Sequence, residues 1–241
     1  MSQMPVAPPP PPEQYRIAPS AALRSPVGLS KAVVAVLGLV IATDLFAVWQ
    51  GFASWDLFER ILGHGSYTLE EADRADTLYA ASGVAQVAAL IAAAVVFIVW
   101  FHRARVNAEV FAPEYHAKKR GWVIWGWFVP VVNLWFPKQI ASDIWNASTI
   151  EGSNRSRGLL NAWWTVWIVN LVYGRFATQR YMKAEEAADI KQALMGVVVS
   201  DLIDIAAAVL AIVFVARLTR MQHEKALRGP GEPLPMPGRH L

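Results

Sequence analysis

The chain has 241 residues, 55% of them hydrophobic and only 17% charged, with 22 Lys and Arg against 19 Asp and Glu. A soluble globular domain carries roughly 25% charge, so the composition argues against that class and for a membrane protein. Cysteine is absent, which removes disulfides, thiol nucleophiles and cysteine zinc sites, and no H-E-x-x-H, G-x-S-x-G, Walker A or dinucleotide fingerprint occurs.

Eight of the 15 prolines fall within the first 30 residues. The stretch "PVAPPPPPEQ" reads as extended, hydrated polyproline, and residues 1–28 are expected to be a disordered cytoplasmic tail. No basic-then-apolar cleavage pattern precedes the first hydrophobic run, so that helix is expected to be retained. Leu29 to Phe52, broken only by Lys31 and Asp44, is long enough to cross about 30 Å of hydrocarbon and is the first expected span.

Thr68 and Glu71 have the spacing of a capping box, from which helical periodicity runs into a second span, Ser82 to Phe101. Within it Ala81, Ala85, Ala89 and Ala93 recur every fourth residue, a small-residue ridge for close helix packing. Leu159 to Phe176 is a shorter candidate span and Met195 to Ala216 a full-length one. Residues 29–217 then form the membrane domain, and 218–241, which hold four more prolines, a second disordered cytoplasmic tail.

The run from Gly121 to Phe136 decides the topology. If it crosses, giving five spans, Lys and Arg divide almost evenly, 12 on one side and 10 on the other; if it does not, four spans put 16 on the side of both termini and 6 opposite. Cationic residues favour the cytoplasmic side, which selects four spans with both termini inside. Sixteen residues also reach only about 24 Å, and Pro130 breaks their helical bonding. A re-entrant or interfacial segment is expected there, followed after Pro137 by a helix in the headgroup plane with Ile140, Ile144 and Trp145 on its apolar face. Eight of the eleven tryptophans lie between residues 122 and 167, which suits an interfacial position. The expected fold is all-α: four transmembrane helices plus one proline-interrupted segment, with five spans as the alternative, in the inner (plasma) membrane.

Residues 102–148 contain Arg103, Arg105 and Asn107, then Trp127 to Pro130, Asn133 with Leu134, Pro137, Asp143 and Trp145. This pattern resembles the bacterial membrane proteins grouped as domain of unknown function 4328, over roughly residues 33–216. The resemblance implies an integral membrane location and kinship of fold and assigns no activity, so Trp127, Pro130, Asn133, Pro137, Asp143 and Trp145 stand as family-motif residues with no role carried over. The proline-rich tails are not part of that pattern.

Counting helical rise from the span ends puts Asp44, Gln86, Asn170 and Asp204 in one layer of the outer membrane half, with Asp201 three residues from Asp204. Gly196, Ser200, Asp204 and Ala208 share a helix face, which turns Asp204 toward other helices. Intramembrane carboxylates are costly and demand a proton, a donor or a cation. Hydrogen bonding between helices is the plain reading of this layer, and proton or cation exchange through Asp44 and Asp204 the functional one.

On the inner face Arg103, Arg105, Asn107, Lys118, Lys119 and Arg120 could contact anionic headgroups or another membrane protein, although the orientation rule alone accounts for such charges. His102, Glu109, Glu114 and His116 have metal-ligand chemistry, but Pro113 separates the two histidines and nothing in the spacing enforces convergence. "EEAAD" at 185–189 lacks the arginine that accompanies paired glutamates in membrane proteases. The leading expectation is a non-enzymatic scaffold or accessory component of the bilayer, without cofactor, metal or nucleic-acid partner and able to oligomerise. The alternative is a small proton- or cation-linked transporter using Asp44 and Asp204.

Overall fold

A computed structural model describes residues 23–150 and 156–228, and every regular element among them is helical. The expected tails at 1–22 and 229–241 lie outside the described residues. Helices α1 (Val27–Leu62) and α2 (Leu69–Phe111) form one antiparallel hairpin, and α5 (Gly158–Met182) and α6 (Ala187–Arg228) another. α1 packs along both α2 and α6, and α6 along α5, so the lateral order is α2, α1, α6, α5 with each neighbour antiparallel. One end of the bundle, the terminal end, carries the starts of α1 and α5 and the ends of α2 and α6. The other, the hairpin end, carries the two tight connections.

Local chemistry sets these boundaries. The Thr68 hydroxyl accepts the Glu71 N–H at 3.1 Å and so caps α2, while Glu71 itself ion-pairs with Arg60 at the end of α1. On α1 the buried positions Val40, Asp44, Ala47, Gly51 and Ser54 recur every three or four residues, with Val33 two turns earlier on the same inward stripe. On α2 the inward ridge runs through Ser82, Ala89, Ala93 and Phe97; Ala81 is exposed and stands off it.

Three helices, α1, α2 and α6, are long and apolar enough to cross a membrane. The 25 residues of α5 would reach about 37 Å, but Asn161, Asn170, Arg175, Gln179 and Arg180 keep it below the same apolarity. Large apolar side chains nevertheless face outward on all four: Leu45 and Trp49 on α1, Leu90 and Ile91 on α2, Val172 and Phe176 on α5, Leu202 and Val209 on α6. Exposed apolar patches of that extent mark a surface for contact with a membrane or another protein.

The segment between α2 and α5 folds against the terminal end. It contains a 3-10 turn at Pro113–Tyr115, the four-residue α3 (Trp122–Trp125), a second 3-10 turn at Val132–Leu134, and α4 (Phe136–Ser148). No continuous helix runs through 121–136. Trp127 wedges between α2 and α5, its ring 5.6 Å from Phe97 and 5.8 Å from Trp167. Pro137 falls in the first turn of α4, where its missing N–H costs nothing.

Two expectations are corrected. α4 does not rest its apolar face on lipid: Ile140, Ile144 and Trp145 are buried in protein, and the Trp145 ring stacks on Phe214 of α6 at 6.1 Å. Amphipathicity alone does not distinguish a bilayer from a neighbouring helix as the covering surface. The C-terminal tail does not begin at 218 either, because α6 continues to Arg228 with Leu218, Thr219 and Gln222 buried against the rest of the terminal end. Of the tryptophans expected at an interface, Trp125 and Trp135 are exposed, whereas Trp145, Trp163 and Trp164 are buried in an aromatic core with Phe97, Trp100, Phe101 and Phe214.

Candidate functional site

Asp44 sits on the inward stripe of α1 and is 1% exposed. Gln86 of α2 faces it, and its Nε2 donates to Asp44 Oδ1 at 2.9 Å and to Asp201 Oδ1 of α6 at 3.0 Å. A single amide thereby ties three helices. Asn170 of α5 brings in the fourth, its Nδ2 donating to Asp204 Oδ1 at 2.7 Å. The Asp204 and Asp44 carboxyl groups face each other closely enough to interact electrostatically.

Small residues make this convergence feasible. A Cβ on Gly51 would lie 2.5 Å from Val198 Cγ2, so glycine permits α1 and α6 to close at the turns that place Asp44 beside Asp201. A Cβ on Gly174 would lie 2.9 Å from Ser200 Oγ. One helical turn from that contact, on either helix, stand Asn170 and Asp204, so the close α5–α6 crossing sets their bond.

The cluster is short of donors. Three carboxyl groups share two amides, Asp44 Oδ2 and Asn170 Oδ1 are buried without a hydrogen-bond partner, and no Lys or Arg among the described residues ion-pairs with Asp44, Asp201 or Asp204. Two facing carboxyl oxygens with no hydrogen between them repel, whereas a shared proton or a small cation joins them. No group of three His, Asp or Glu among the described residues is arranged to hold a metal ion. A groove of about 510 Å³ between α5 and α6 descends from Gln179 and Thr178 past Arg175, Leu171 and Ser200 to Asn170, Asp201 and Asp204. It connects the cluster with the hairpin end.

The basic residues of the terminal end lie far along the bundle from this cluster and divide into two sets. Arg105, 2% exposed, cannot reach headgroups: its Nε bonds Glu109 Oε1 at 2.9 Å and its Nη2 bonds the Lys118 carbonyl at 2.7 Å, locking the 112–120 loop onto α2. Asn107 is also internal, donating to the Arg24 carbonyl at 2.9 Å and accepting the Arg24 N–H at 3.2 Å. Both follow an apolar run and resemble surface residues in sequence, which is why the contact expected of them fails. Arg103 and Lys118 are half-buried, Lys118 over the Phe136 ring at 4.3 Å, while Lys119 and Arg120 are exposed and Arg120 pairs with Glu109. Burial pushes the Glu109 carboxyl up, but hydrogen bonds from Arg120 and Arg105 outweigh it and leave its pKa below the ordinary value. Glu109 is thus committed to ion pairs, and Glu114 is exposed on the 3-10 turn.

Among the family-motif residues, Pro130 and Asn133 shape the turn behind Trp127, with the Asn133 N–H bonding the Val129 carbonyl at 3.1 Å. Asp143 is half-buried on α4, near the Ala117 backbone N–H. Sequence reasoning missed Gln222, which is almost wholly buried: its Nε2 donates to the Ala104 carbonyl at 2.8 Å and to Ser148 Oγ at 3.2 Å, and its Oε1 accepts from Asn107. The signal was present, since Gln222 continues the buried stripe of Ala211, Phe214, Val215 and Leu218 at helical spacing.

The family model described as "Domain of unknown function (DUF4328)" matches residues 65–220. The match begins at the α1–α2 connection, later than the resemblance near residue 33, and includes Gln86, Asn170, Asp201 and Asp204 but not Asp44. No curated protein and no solved structure matches the chain.

Proposed function

Because the chain belongs to the Domain of unknown function (DUF4328) family and its helices are apolar enough to span a membrane, we propose that it is a four-span, non-enzymatic plasma-membrane protein whose carboxylate cluster exchanges a proton or a monovalent cation. The terminal end, with both chain termini, faces the cytoplasm, and the segment before α4 is re-entrant. α5 counts as the fourth span because its Val169, Val172 and Phe176 continue the outward apolar belt of the other three helices.

The observation that carries the reading is the donor deficit at Asp44, Asp201 and Asp204. A network built only to join helices has every buried acceptor matched, because each unmatched one costs about 1–3 kcal/mol. Here acceptors remain for a mobile positive charge, and the groove to the hairpin end is its route. At the other end, exposed Lys119 beside exposed Trp125 and Phe128 suits contact with anionic headgroups, which anchors the bundle without supplying the exchange.

Full-length protein in liposomes that enclose a pH-sensitive dye tests this. After an external acid step, wild type should admit protons faster than protein-free liposomes, and Asp204→Asn and Asp44→Asn should abolish the difference. Asp56→Asn, at an exposed helix end, should keep it. No flux above empty liposomes, with protons or with sodium or potassium gradients, would sink the reading.

A further inference from the structure

Ring contacts join α2 and α5 at two levels. Tyr79 meets Tyr181 at 5.5 Å toward the hairpin end, and Phe97 meets Trp163 at 5.7 Å toward the terminal end. Between these pairs the two helices stand apart, leaving a cleft of about 420 Å³ whose floor is the small-residue face Ala207, Ala208 and Ala211 of α6. Its walls are Leu90 and Phe97 on one side and Trp163 and Trp167 on the other, and Trp127 closes its lower end. At the opposite end the lining changes character abruptly, to Asn170 and Asp204.

An apolar, aromatic cavity of this size, within the range that holds small ligands, carries a charged group at one point only, Asp204, beside the partnerless Asn170 Oδ1. We propose that the cleft binds a lipophilic monocation, an amphiphilic ammonium- or phosphonium-type molecule, with its charge against Asp204 and its apolar body along the alanine floor between Phe97 and the Trp163–Trp167 wall. Charge complementarity selects this occupant. An acyl chain would offer no charge to Asp204 and nothing to the partnerless Asn170 Oδ1, and an anion would be repelled by three carboxyl groups. Aromatic faces attract the delocalised positive charge further, and small residues on α6 leave room for bulky substituents. Entry is lateral, between α2 and α5, where exposed Ala94 stands at the rim.

The inference rests on the exchange reading of the same carboxyl groups and adds a substrate class to it. A bound monocation replaces the proton shared between Asp204 and Asp44, so one positive charge leaves through the groove as another arrives from the cleft. Charge in the cluster is conserved, and no further reactant is needed.

Tetraphenylphosphonium is the probe, titrated into the purified full chain in detergent micelles by calorimetry, with a pH dye in weakly buffered solution reporting proton release. Wild type should bind it with release of protons, and Asp204→Asn should bind at least about tenfold more weakly, a difference of about 1.4 kcal/mol. Uncharged triphenylphosphine oxide should bind wild type at least as weakly. Ala94→Trp, at an exposed position where folding is not at stake, should block the cleft and lose the probe while keeping the proton flux of the liposome experiment. That variant separates the two proposals: intact flux with no probe binding in any protein removes the substrate and spares the exchange. Equal binding of the neutral compound would assign the cleft to lipid chains and overturn the inference. So would tight binding by Asp204→Asn or Ala94→Trp.

Discussion

At Val131 the backbone takes φ 69° and ψ −50°, and the Val132 N–H reaches back to the Pro130 carbonyl at 2.8 Å. This is a γ-turn of the strained hand, and a β-branched residue is among the least tolerant of it. The side chain is 62% exposed, so little protein packing is lost if it is removed. Val131→Gly should therefore raise stability in micelles by about 1 kcal/mol, the strain relieved exceeding the entropy that glycine adds to the unfolded chain. Thermal unfolding measures it, and a lower midpoint would mean that Val131 packs where this structure leaves it open. His116 gives the second residue-scale expectation. Burial first, then the neighbouring Arg105 guanidinium, holds its pKa below the ordinary 6.5, while the Ala108 carbonyl, Glu109 and Asp143 pull the other way. The unfolded chain thus takes up the proton before the folded one does. Its contribution is complete above pH 6.5 and is lost as pH falls from there toward the lowered folded value. Unfolding followed from about pH 7.5 to about pH 5.5 should show stability dropping, with a shallower slope in His116→Gln and a residual slope from His102, which burial shifts the same way. An unchanged slope in the variant would exclude His116 as its source.

Among the elements, α1 and α6 make the contact on which the cluster depends. Gly51→Leu forces a side chain into the space of Val198 and should cost about 2 kcal/mol by overpacking, against a helix-propensity gain of about 1 kcal/mol for leaving glycine. Adding Val198→Ala should restore part of the loss, and the double-mutant cycle reads the coupling directly. No coupling would mean that the helices separate freely at that level. The same contact explains what the sequence made legible. A helix advances by a fixed rise, and antiparallel hairpins put equal distances from a turn at equal depth, so Asp44, Gln86, Asn170 and Asp204 could be placed in one layer before any packing was known. That Gln86 would bridge Asp44 to Asp201, and that Asn170 would hold Asp204, depends on rotation about each axis. Those angles are set by Gly51 and Gly174, whose meaning lies in the residue across from them. Residues 112–135 were illegible for another reason. With no period to read, nothing marked Trp127 as the side chain driven between α2 and α5, and Arg105 gave no sign of burial beyond Glu109 four residues later.

For the whole molecule, orientation turns on one asymmetry: with α5 as a crossing helix, 16 Lys and Arg fall on the side of the terminal end and 6 on the other. Cationic residues are retained on the cytoplasmic side during insertion, so the terminal end should face inward. The chain contains no cysteine, and a single introduced one reports its own accessibility without background. Leu227, 75% exposed, marks the terminal end, and Leu69, 83% exposed, marks the hairpin end. In intact cells a membrane-impermeant maleimide should label Leu69→Cys and spare Leu227→Cys, and permeabilisation should expose the second. The four long helices alternate in direction, so the two sites must answer oppositely; labelling of both from outside would mean that α5 and α6 do not form a transmembrane hairpin. Labelling of Leu227→Cys alone would invert the protein. The groove from Gln179 to Asp204 would then open to the cytoplasm, and protons would reach the carboxyl cluster from within the cell rather than from outside it.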